Sequence, residues 1–303
     1  WKASEWKWWL LHYAVPCLEG ILPRKYLDHF CLLVSAVYLL LKDAVEDSDV
    51  AKASDMLAEF VVKTQLLYGT AAMTFNVHQL LHLAKSVQQL GPLWAHSTFI
   101  FESGNGTLLK LVSDANGVPL QILERFAMRV QLKRIMSTVE PSAETVAFCG
   151  SIGPKKKSTR TQVLGKGKVK TVFTEAEQDS FRLKLRSVPL VAVEYQRISV
   201  DGQLVHSTQY MRPKKTNNSV LVTKCGAYCS VEHIYELHDG QLLLSCRELV
   251  CRELAKVPHL LKWSSSMPHV RMLETTEVDR LCVLMKMENA CYISRIPNLY
   301  ERD

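Results

Sequence analysis

The hydrophobic pattern of this chain changes period once, from about 3.6 residues to 2, and the change falls across a basic stretch. Trp6, Trp9, Leu10 and Tyr13 recur at helical spacing, with Pro16 and Gly20 behind them. Tyr26 to Lys42 reads as a second, apolar helix, ended by the acidic stretch Asp43 to Asp49. Ala51 to Tyr68 reads as a third, closed by Gly69. Val77, Leu80, Leu81, Ala84 and Val87 lie on one face of a fourth, Asn76 to Leu90, which Gly91-Pro92 stops. The four Trp among the first nine residues are expected to anchor a helical bundle. Cys31 to Leu41 is the most apolar run; its eleven residues fall short of the roughly 20 needed to cross a bilayer. It reads as a core helix, and no membrane partner is expected.

Beyond the basic stretch the signals belong to strands. Val191 to Val200 and Gln203 to Thr208 flank Asp201-Gly202, a two-residue type I′ hairpin signal, and Val231 to Leu237 and Gln241 to Ser245 flank Asp239-Gly240 in the same way. Leu281 to Met287 and Ala290 to Ile296 form a further pair around Glu288-Asn289. Six or seven short strands are expected, in a small antiparallel barrel or sandwich. The fold class is α+β, divided into a helical segment over 1–150, a basic linker over 151–172 and a β-rich domain over 173–303.

The net charge of +7 has one source. Residues 1–153 carry 13 Lys+Arg against 14 Asp+Glu, and residues 171–303 carry 17 against 16. Lys155, Lys156, Lys157, Arg160, Lys166, Lys168 and Lys170 hold the excess, with no acidic residue among them. Such a run condenses on phosphate and releases counterions without reading sequence, or serves as a nuclear-localisation signal. The plainer reading is a solvated linker. No phosphate-binding glycine loop occurs, so nucleotide binding has no support. Nine cysteines, odd in number and scattered through apolar runs, suit a reducing compartment.

Candidate chemistry is sparse. His78 and His82 stand at i and i+4, a spacing able to hold zinc, but no Glu lies between them to act as general base. Cys225, Cys229, Cys246 and Cys251 sit in or beside expected strands, where Cys is ordinarily a small buried hydrophobe. Asp43, Glu46, Asp47 and Asp49 read as a solvated cap. Tyr195, Tyr210, Tyr228 and Tyr235 are candidates for an aromatic cage, with cross-strand packing as the plainer reading. Glu102 stands beside Phe101 and Ile100 in an apolar run, where a carboxylate is costly unless paired, protonated or holding a cation. Local signals make Thr98–Ser103 and Thr107–Val112 a hairpin about Gly104-Asn105-Gly106.

Three blocks resemble the C-terminal region of CACTA-like (En/Spm-type) DNA transposases: N-V-H-Q-L-L-H-L (76–83), G-P-L-W (91–94) and F-x-F-E-S-x-N-G-x-L-L-K-L-V (99–112). The opening W-K-A-S-E-W-K, G-I-L-P-R-K-Y-L-D-H-F (20–30), the 195–219 segment and the closing I-P-N-L-Y-E-R-D (296–303) are similar to the same family. The resemblance implies an RNase H-like core in which three carboxylates hold two divalent ions, Mg2+ or Mn2+, for in-line phosphoryl transfer on DNA. It implies that Glu102 is the third carboxylate and metal ligand, on the last catalytic helix after insertion helices, with His78 and His82 in support. That turns the expectation for 98–112 from hairpin to helix. It also implies a nuclear protein bound to DNA at transposon ends, alone or as a homo-oligomer. The two earlier aspartates of the family pattern are not found in these 303 residues, so the expectation is a fragment that does not cut DNA by itself. The alternative is a non-catalytic, transposase-derived adaptor that binds DNA or chromatin through the basic stretch and the β module.

Overall fold

A computed structural model describes residues 1–138, 142–152, 161–211, 217–254, 256–288 and 290–300. It shows a mixed α+β protein, helical first and antiparallel β after. The chain divides into two compact units, one made of Trp1–Trp94 with Ser158–Asp303 and the other of Ala95–Lys157.

The first unit opens with α1 (Ala3–Trp8), a π-helical turn at Trp9–Tyr13 and α2 (Ala14–Leu18). Three longer helices follow, α3 (Arg24–Leu40), α4 (Asp47–Tyr68) and α5 (Phe75–Leu90). In α3, Leu27, Cys31 and Val34 are buried at helical spacing, as are Ala53, Leu57 and Val61 in α4. Glu46 and Asp49 form a reciprocal cap at the start of α4, and Gly69, at φ 85°, ends it in a conformation costly for other residues. Ala36, Leu40, Ala53, Leu57 and Val87 form the core between these helices. The tryptophans do not anchor it: Trp1 and Trp6 are exposed and α1 buries nothing. Nor is the acidic stretch only a solvated cap. Asp49 is buried and accepts from Lys42 Nζ at 2.6 Å, and Asp43 pairs with Arg280 at 2.8 Å.

The second unit holds α6 (Phe99–Leu109), α7 (Val118–Thr138) and α8 (Ala143–Ile152). Gln121 organises the turn before α7, accepting from the Ser113 backbone N at 3.0 Å and donating to the Asn116 carbonyl at 2.6 Å. No residue of α7 is buried, and Leu123, Phe126 and Leu132 are exposed.

The rest of the first unit comprises β1 (Gln162–Leu164), β2 (Lys168–Lys170), α9 (Glu175–Leu185), β3 (Ala192–Tyr195), β4 (Arg197–Val200) and β5 (Gln203–His206). After them come β6 (Val220–Thr223), β7 (Tyr228–Glu236), β8 (Leu242–Leu254), β9 (Val257–Glu274), β10 (Val278–Lys286) and β11 (Cys291–Arg295). β1, β4 and β5 make one antiparallel sheet. In the other, β2 pairs β3 and β3 pairs β7; the pairings then run β7–β6–β10–β11–β9–β8 and return from β8 to β7. One buried cluster draws on all six strands of that circuit, with Val220, Tyr228, Leu249, Leu261, Cys282 and Ile293 among its members.

Asp201-Gly202 forms the expected type I′ turn, both residues at positive φ (48° and 74°). Asp239-Gly240 does not. There Leu237 N donates to Gln241 O at 2.9 Å and only Gly240 has positive φ, giving a three-residue loop closed by a left-handed glycine.

The compact units do not follow the division at 150 and 173. Helices α2 and α3 bury Val15, Leu27, Cys31 and Val34 against Val257, Leu260, Met285 and Tyr292 of the sheet. Polar fastenings follow the same seam: His12 Nδ1 meets Ser294 Oγ at 2.6 Å, Ser35 Oγ donates to Lys256 O at 2.7 Å, and Asn298 Nδ2 donates to Leu41 O at 2.9 Å. The described residues of the expected linker are also folded, since 162–164 and 168–170 are strands. Gly167 lets β2 close on β3, because a Cβ there would stand 2.3 Å from Val193 Cγ1.

Candidate functional site

Thr74 caps α5 by accepting from Val77 N at 3.4 Å, and the helix then carries His78 and His82 side by side on an exposed face. Their Nε2 atoms are 3.4 Å apart, so one ring donates to the other. Among the described residues no group of three His, Cys, Asp or Glu side chains is placed to hold a metal. Glu102 belongs to the other unit. It lies in the first turn of α6, its backbone N donating to Thr98 O at 3.1 Å. The segment 99–109 is thus helical, and the local hairpin signal at Gly104-Asn105-Gly106 is overridden. Glu102 is exposed, as is Phe101. Divalent metal at Glu102 needs further oxygen ligands, and α6 offers no second carboxylate.

The basic residues separate into three groups. Lys155, Lys156, Lys157 and Arg160 lie outside the described residues. Lys166 is exposed before β2, and Lys168 is exposed on it. Lys170 turns inward instead. Its ammonium donates to Tyr235 OH and to Glu177 Oε1 (3.4 Å), with the Tyr235 ring centroid 5.0 Å away. Glu177 is 2% exposed and also accepts from Thr174 N and Oγ1, each at 2.9 Å. Burial alone would raise its pKa, but the bonds from Tyr235 and Thr174 and the Lys170 charge hold it below the ordinary carboxylate value. Lys170 therefore belongs to a structural network, unlike Lys166 and Lys168.

Neither of the other clusters assembles. Cys229 and Cys246 are buried, Cys225 is exposed in the β6–β7 turn, and Cys251 packs beside Trp263. The four tyrosines serve different packings: Tyr195 bonds Glu236, Tyr210 lies under Arg197, Tyr228 takes Arg295 and Tyr235 takes Glu177.

A cavity of about 190 Å³ opens where β6 begins and β10 ends. Trp263, Leu249 and Leu284 supply its apolar wall. Thr208, Ser230 and Asn217 add hydroxyl and amide groups, and Lys286 adds an ammonium. His206 borders it with a fixed tautomer: Nε2 accepts from Asn218 N at 2.8 Å, leaving the proton on Nδ1. These residues come from several strands and carry no motif spacing, which is why sequence reasoning missed them. The pairing circuit around the cavity was the missing signal.

Fold and site together describe an α+β protein with a helix-clad antiparallel strand circuit. No family model, no curated protein and no solved structure matches the chain.

Proposed function

We propose that this chain is a DNA-binding region of a CACTA-like transposase or of a protein descended from one, acting in the nucleus, and that it binds DNA without cutting it. On this reading the strand circuit is the small barrel of that family's C-terminal module. Glu102 serves as one ligand for Mg2+ or Mn2+ of an RNase H-like site only together with carboxylates outside these residues. His78 and His82 belong to the supporting His motif of that family. The observation that carries the binding half is the anchoring of the basic run. Lys170 is locked to Glu177 and Tyr235, while Lys166 and Lys168, four and two residues earlier, face solvent from the same edge of the sheet. A cationic run fixed at one end to a folded frame presents its charges to phosphate from a defined place, and solvent-facing Lys gives the counterion-release term directly.

The test is a salt titration of duplex DNA binding by the full chain and by a variant with Lys155, Lys156, Lys157, Arg160, Lys166 and Lys168 changed to Gln. The slope of log K against log salt is expected to fall by about 0.9 for each phosphate no longer neutralised. An unchanged slope overturns the proposal. Nicking of supercoiled plasmid in Mg2+ or Mn2+, abolished by Glu102→Gln, would overturn the non-cutting half.

A further inference from the structure

The cavity beside β6 and β10 is lined by residues other than Lys166, Lys168 and Lys170, and its chemistry is narrow. The indole N–H of Trp263 donates to Ser265 O at 2.8 Å, so the polar edge of the ring is occupied and what it offers a ligand is π surface. Leu249 and Leu284 extend that apolar wall. Asn217 Oδ1 is taken by Ser219, which donates from Oγ at 2.6 Å and from N at 3.1 Å, so the amide turns donors outward. Thr208 and Ser230 add hydroxyls, which both donate and accept. Lys286 is exposed, makes no ion pair among the described residues, and brings the one ammonium of the lining.

Size narrows the ligand further. A volume of about 190 Å³ falls below the ~300 Å³ lower bound of sites for drug-sized ligands. That size suits a small ligand such as a single ring system. A flat body that stacks, carries hydrogen-bonding edges and is joined to an anion describes a nucleobase with its phosphate. Bases that are read individually are taken out of the helix and held between aromatic or apolar walls.

The geometry points to a site for one unpaired nucleotide of a single-stranded nucleic acid, its base in the cavity against Trp263 and its phosphate at Lys286. This rests on the nucleic-acid reading above and narrows it. The basic run contacts backbone of any kind, whereas the cavity accepts only a base that has no partner.

The experiment is an anisotropy titration of the full chain with a short labelled oligothymidylate and with the same strand annealed to its complement. Two variants alter exposed positions that leave the core intact: Lys286→Gln removes the cation, and Thr208→Tyr crowds the opening. Each is expected to weaken single-strand binding about tenfold while leaving duplex binding unchanged, and thymidine monophosphate is expected to compete. No change in either variant, or equal losses for both nucleic acids, overturns the site. So does displacement by an aromatic carboxylate with no effect of the nucleotide. Duplex binding that depends on the basic run but shows no single-strand preference sinks the cavity alone. If neither nucleic acid binds, the nucleic-acid reading falls with it.

Discussion

His12 and His259 are buried at the seam between the first helices and the sheet, at 1% and 3% exposure. His259 Nε2 donates to Leu11 O at 2.9 Å and its ring stacks on Tyr38 at 3.8 Å, while His12 Nδ1 meets Ser294 Oγ. Among the described residues, His12 Nε2 and His259 Nδ1 have no hydrogen-bond partner. Burial, reinforced by the positive charges of His259 and Lys7, pushes the His12 pKa down to about 3. Burial likewise lowers His259 to about 4. Both are therefore neutral in the folded protein, whereas in the unfolded chain both protonate near 6.5. Below that pH the unfolded state takes up protons that the native state refuses. Stability is full above pH 6.5 and falls as pH drops toward 4, by up to about 1.4 kcal/mol per pH unit for each histidine. Urea midpoints measured at pH values on either side of that window should show this loss, and His12→Gln should reduce it. A midpoint independent of pH across that window would mean that the pair is not held neutral.

Individual elements differ in how openly the sequence announces them. α3, α4 and α5 are readable because their buried residues keep helical spacing and a glycine or an acidic turn ends each one. β9 is not. Its eighteen residues contain Pro258, Pro268 and the run Ser264 to Ser266, which read as loop, yet most of the strand is paired to β8. Helix α9 is easily overlooked because it is polar, although Thr174 and Glu177 spell a capping box that could have located it. The same Glu177 gives the element its hold on the sheet. Replacing it with Ala strands the Lys170 ammonium and the Tyr235 hydroxyl in a buried site, and a loss of about 3 kcal/mol is expected in chemical denaturation. Tyr235→Phe removes the two bonds of the hydroxyl, to Glu177 and from Lys170, and keeps the ring against Phe173 and Phe181, so about 2 kcal/mol is expected. Equal small effects from both would place the anchor in apolar packing instead. At the candidate site, the helical placement of Glu102 came from the family pattern against local propensity, and the cavity came from pairing between segments far apart in sequence.

On the scale of the whole molecule, the β-rich segment 173–303 is not a self-sufficient body. Without residues 1–94 it exposes Val257, Leu260, Met285 and Tyr292, and leaves Asn298, Ser294 and Arg280 without their partners Leu41, His12 and Asp43. Expressed alone it is expected to aggregate, whereas coexpression of 1–94 with 158–303 should yield a soluble complex that copurifies on a tag carried by either piece. A monodisperse, cooperatively melting 173–303 would contradict this. The same seam sets a clock. His12 waits for Ser294, 282 positions later, and Leu41 O for Asn298, 257 positions later. At about 5 to 20 residues per second of synthesis, that is roughly 15 to 55 seconds during which the apolar face of α3 has left the ribosome with nothing to cover it. Production of this protein is therefore expected to depend on the speed of translation and on the supply of chaperones. Slower elongation lengthens the exposure, and extra chaperone should raise the yield without altering the stability of the finished fold.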